Sequence, residues 1–126
     1  MTNYKLKSKQ LDIPKNSVET DVTFNTSVSA YKVVTSTGYQ ADSNNLAHRD
    51  KVIGFTFESV GSGFSTKIKT SGEISNPSWS FNAGDIIFLN GTNISTSAPS
   101  TGFSQELGSF INSNTLIINI KPSILL

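Results

Sequence analysis

"KVIGFTFESVGSGFSTKIKTSG", residues 51–72, decides the fold. Two runs dense in Val, Ile, Phe and Thr flank a Gly-Ser-Gly at residues 61–63, and side chains in a strand point alternately to opposite faces. In the first run Ile53, Phe55 and Phe57 share one face, and Val52, Gly54, Thr56 and Glu58 share the other. In the second, Phe64, Thr66, Ile68 and Thr70 oppose Ser65, Lys67 and Lys69, which leaves that strand one wet side. The glycines lead into a strand rather than a helix N-terminus, so they suit a hairpin turn and not a phosphate loop.

The same texture extends outward in both directions. Further strands are expected in "SVSAYKVVTS" from Ser27, "DIIFLN" from Asp85, "QELGSFINS" from Gln105 and "TLIINIKP" from Thr115, separated by Gly, Asn and Ser clusters. In the last of these, Leu116, Ile118 and Ile120 fall on one side, but Ile117 makes the other side mixed, which calls for some second cover. Helical periodicity is nearly absent. The fold class is therefore all-β, a small barrel or sandwich of about six to eight short antiparallel strands with an extended N-terminal arm.

Residues 1–17 form that arm, and residues 18–126 a single β-domain, a size able to bury one core. In the arm, Lys5, Lys7, Lys9 and Lys15 alternate with Tyr4, Leu6, Leu11 and Ile13, ending at Pro14 and "KNS". A period-2 pattern of this kind can add an edge strand to another chain's sheet, serve as a first strand of its own domain, or be a frayed terminus. Only Asp12 offsets the lysines, so an acidic docking surface is expected.

Composition narrows the function. Charged residues are 15% of the 126, and polarity comes instead from 20 Ser, 13 Thr and 12 Asn. A net charge of +1 does not supply the phosphate neutralisation that nucleic-acid binding needs. There is no Cys, and no segment approaches the apolar length that spans a bilayer. No cofactor or metal is expected: His48, the single histidine, lies near Asp42 and Asp50 in the long aperiodic stretch "TGYQADSNNLAHRDK", but the spacing matches no ligand pattern, and a solvated loop histidine is the expectation. No G-x-S-x-G elbow occurs, and Glu58, Glu73, Asp85 and Glu106 are scattered, so the chain does not read as an enzyme.

Trp79, the only tryptophan, sits in "NPSWSF", where Asn76 and Pro77 should turn the chain and "NAGD" should turn it again into "IIFL". Trp79 and Phe81 then point to one side as a buried anchor over the end of a barrel or against a neighbouring subunit, with the indole N–H bonded to a loop carbonyl. Together with Tyr4, Lys5, Leu6, Lys7, Leu11 and Ile13 they form the expected interface set. If Trp79 instead stands exposed beside Tyr31 or Tyr39, a sugar-binding surface becomes the better reading.

From "AYKVV" at Ala30 the features follow in a recognisable order: "ADSNNLAHRDKVIGF", "GSGFSTKIKTSGEI", "WSFNAGDIIFLN", "GTNISTSAP" and "GFSQELGSFINSNTLIINIKPSILL". This order resembles a small all-β module of tailed-bacteriophage virion structural proteins, at the ends of head-fibre or tail-fibre chains, and more loosely the capsid cement or decoration proteins. The signature positions are Gly54, Gly72, Trp79, Gly84, Pro99, Gly108 and Pro122. The lysine-containing arm is not part of the module. The resemblance implies a virion structural protein assembled in the bacterial host cytoplasm, commonly a homotrimer, with no catalytic residues. It decorates the capsid or forms a head-fibre base, its partners being a major capsid protein or a tail or fibre protein. A tail-fibre or tail-adaptor subunit is the alternative, and a carbohydrate- or receptor-binding module the second alternative.

Overall fold

The computed structural model describes residues 17–126. The arm residues Tyr4, Lys5, Leu6, Lys7, Leu11 and Ile13 lie outside them. The described chain is all-β: β1 (Val18–Thr23), β2 (Val33–Thr35), β3 (Val52–Thr56), β4 (Ser65–Ser75), β5 (Ile86–Asn90), β6 (Asn93–Ser95), β7 (Phe103–Ser104), β8 (Glu106–Phe110), β9 (Thr115–Ile118) and β10 (Ile124–Leu125), with one 3-10 turn at Leu46–His48. Eight strands form one antiparallel, nearly closed barrel-like sheet in the order β2-β3-β4-β9-β8-β5-β6, with β1 paired to β4. β7 and β10 form a small second sheet.

β4, with 11 residues, organises the sheet. β1 runs along its first part, from Ser65 to Ser71, and β9 along its second, from Gly72 to Ser75. Gly72, one of the signature positions, has a left-handed φ of 87° inside β4, opposite Ile118. Glycine takes that conformation without the Cβ penalty, so the strand changes course there and continues to Ser75.

Two buried clusters result. The barrel interior holds Val33, Ala41, Val52, Phe55, Ile74, Ile87, Leu89, Phe103, Leu107, Phe110, Leu116 and Ile118. The second cluster joins Val22, Phe24, Val28, Val34, Val60 and Ile68. Adjacent Val33 and Val34 thus serve different clusters, which is why "YKVVTS" shows no polar alternation. Each large side chain so buried contributes about 1.5–3 kcal/mol.

The facing expected for β3 is corrected. Val52 and Phe55 both enter the barrel interior, while Ile53 packs on the second cluster. The register against β2 slips between Val34 and Thr35, so that Val34 opposes Gly54 but Thr35 opposes Val52. The extra residue is a β-bulge, which breaks the alternation. Phe64, expected beside Ile68, is 69% exposed and precedes β4. The glycine turn does reverse the chain, with Phe64 N–H donating to the Gly61 carbonyl at 3.1 Å, but residues 57–64 form a longer connection than a tight hairpin, pinned by a bridge between Val60 and Val28.

The Asn- and Ser-rich composition is spent on turns. Side-chain oxygens of Asp42, Asn45, Asn76 and Asn112 each accept the backbone N–H two residues on, at 2.9–3.0 Å. These local bonds satisfy loop backbone that no strand pairs.

Candidate functional site

The sheet ends at β2 and β6, and the segment at residues 39–43 links the two ends. Ala41 N–H donates to the Val33 carbonyl at 2.8 Å, Ser43 N–H donates to the Gly91 carbonyl at 2.9 Å, and Gly91 N–H donates back to Ser43 Oγ at 2.7 Å. Beyond this bridge a cleft of about 280 Å³ opens at the seam, lined by Tyr31, Lys32, Val33, Trp79, Phe81, Thr92, Asn93 and Ile94.

Trp79 is held there by the turns expected from sequence. Trp79 N–H donates to the Asn76 carbonyl at 3.0 Å and Phe81 N–H to the Ser113 carbonyl at 2.9 Å, while Asp85 closes the next turn by accepting from Asn82 N–H at 2.9 Å. Trp79 and Phe81 do point to one side: both pack on Phe110, with ring centroids 5.5 and 4.4 Å away. Trp79 also meets Phe55 at 6.4 Å and Tyr31 at 5.8 Å, all three contacts edge-to-face. It is half-buried rather than enclosed, so it caps the barrel core while one part of the indole reaches the cleft. Among the described residues the indole N–H is not bonded to the loop carbonyl expected for it.

Tyr31 adopts a left-handed φ of 63°, rare for an aromatic residue. Its position is fixed by Thr56, fully buried, whose carbonyl accepts Tyr31 N–H at 2.8 Å and whose hydroxyl donates to the Ser29 carbonyl at 2.7 Å and accepts Lys32 N–H at 3.0 Å. No sequence signal marked this geometry, because tyrosine carries no preference for it.

Tyr39 does not join Trp79. It stacks on His48 at 6.1 Å and 21°, beside a separate groove that also includes Gln40 and Lys51. His48 is half-buried, not freely solvated, and its Nδ1 accepts Asp42 N–H at 3.1 Å, pinning the long loop. Among the described residues no three His, Asp or Glu side chains cluster as metal ligands, and no helix is long and apolar enough to cross a membrane.

A second feature lies on the outside of the barrel. Leu116 and Ile118 are buried, so Ile117 faces outward; Ile117 opposes Ser109, and Ser109 opposes Ile86. Ile87 and Leu89 point inward, so Phe88 joins Ile86 on the outer face. Ile111, two residues beyond Ser109, completes an apolar surface on which Ile86 is 47% and Ile111 43% exposed. Ile117 and Phe88 on the same face are half-buried. The mixed second side of "TLIINIKP" anticipated Ile117; the doubly apolar "IIFL" was the available signal for Ile86 and Phe88.

No family model, curated protein or solved structure matches this chain.

Proposed function

We propose that the chain is a structural subunit of a tailed-bacteriophage virion, a capsid-decoration or head-fibre-base protein that associates as a homotrimer and attaches to a neighbouring virion protein. The observation that carries this reading is the outer apolar face of Ile86, Phe88, Ile111 and Ile117, with the small Ser109 between them. Glu73 and Glu106 lie at its margins, and Glu106 is matched by Lys121 at 3.4 Å. A face so poor in charge is suited to packing on a second copy of itself, because no like charges meet at its centre.

The order of motifs from Ala30 to Leu126 supports the phage setting. Charge supports the tether: in residues 1–17 four lysines against Asp12 give +3, while the six basic and eight acidic residues of 18–126 give −2. The arm therefore suits an acidic surface on a major capsid or fibre protein. A tail-fibre or tail-adaptor subunit would use the same physics at another place on the particle.

Light scattering of the purified chain is the test, with a trimer expected and a monomer at all concentrations counting against the proposal. Deletion of residues 1–17 should then abolish co-sedimentation with capsids of the encoding phage and leave the circular dichroism of the β-domain unchanged. Undiminished loading would remove the arm from the account.

A further inference from the structure

We propose that the seam between β2 and β6 is a binding cleft for a single pyranose ring, with Trp79 and Tyr31 as its aromatic wall and Thr92 and Asn93 as its hydrogen-bonding rim. The site is independent of the virion reading and does not require self-association.

Four observations converge on it. The cleft of about 280 Å³ is close to the lower end of small-molecule sites, and apolar rings with a few convergent polar groups are the composition such sites show. Its walls are preorganised: the Trp79 turn is locked by Asn76, whose side chain accepts Ser78 N–H at 3.0 Å while its carbonyl accepts Trp79 N–H. Lost freedom on binding is correspondingly small.

The third observation is strain. Holding Tyr31 at a φ of 63° costs about 1–2 kcal/mol, and it persists because Thr56 fixes the backbone on both sides of it. That conformation sets the tyrosine ring edge-to-face with Trp79 at the mouth of the cleft, interplanar angle 68°. Tyr31 packs on the edge of the barrel core as Trp79 does, so one ring both closes the core and lines the cleft.

The fourth is the chemistry of the rim. The amide of Asn93 and the hydroxyl of Thr92 are exposed, and each can both donate and accept, as a ring of sugar hydroxyls requires. The aromatic wall offers a surface for the apolar C–H face of the ring. Among the described residues Lys32 is the one charged residue lining the cleft, too little for a polyphosphate or nucleic acid and sufficient to admit a sugar carboxylate.

Trp79 is the only tryptophan, so its fluorescence reports on the cleft directly. The full chain is titrated with methyl glycosides of neutral hexoses and of a hexuronic acid, into the millimolar range. A saturable change in emission is expected for at least one pyranoside, weakened about tenfold or more in Asn93→Ala and in Tyr31→Asn, with unchanged circular dichroism. Asn is chosen at residue 31 because it tolerates the left-handed region. The absence of a saturable change with every sugar, or binding unaltered in both variants, overturns the proposal.

Discussion

Trp79 shows how far a single residue could be read. The turn at Asn76 and Pro77, the shared direction of Trp79 and Phe81 and the turn at Asn82 to Asp85 were all legible, because Asn, Pro and Asp act through local backbone bonds. The half-burial beside Tyr31 was not legible, since it depends on a φ that only the Thr56 network enforces. Thr56→Val keeps the shape but leaves Lys32 N–H and the Ser29 carbonyl without their buried partner. The expected loss is about 1–3 kcal/mol, read from urea unfolding, and no loss would show that the network does not hold this turn. At Gly108, with φ of 153°, a Cβ would run into the Ile117 carbonyl oxygen. Gly108→Ala should therefore cost more than about 2 kcal/mol in the same measurement, and a neutral effect would mean that β8 and β9 can separate freely.

Among the elements, the strands with dense apolar runs were found and those without were missed. β1 was not foreseen as a strand, because in "VETDVT" only Val22 is buried and the rest of the segment is exposed edge. β3 was found, but its facing shifted with the bulge against β2, a register event that alternation within one strand cannot reveal. The cover required for the second side of β9 is the element-level feature with the most consequence. Ile117 faces out of the barrel between Glu73 on β4 and Ser109 on β8, in the same row as Ile86. Ile117 is half-buried on this face, so an Ile117→Lys substitution should cost the monomer about 1 kcal/mol and leave it folded, the lysine stem lying over the sheet while its ammonium reaches water. A larger drop in urea unfolding of the monomer would place Ile117 in the fold rather than at a contact.

For the whole molecule, the barrel-like closure joins segments distant in sequence, with β4 pairing to β9 and β2 linked through Ala41 and Ser43 to Gly91. Folding in milliseconds to seconds is expected for such non-local pairing, and stopped-flow refolding in microseconds would contradict this topology. The all-β class followed from composition and alternation. The seam did not, because closure depends on one short segment with no apolar period. The central claim, assembly through the outer face, is tested most directly by light scattering of the unaltered chain beside Ile117→Lys, with circular dichroism as the check on folding. The account predicts a trimer that becomes a monomer of unchanged β-content on substitution. A monomeric unaltered chain at every concentration, or a trimer indifferent to Ile117→Lys, would contradict it.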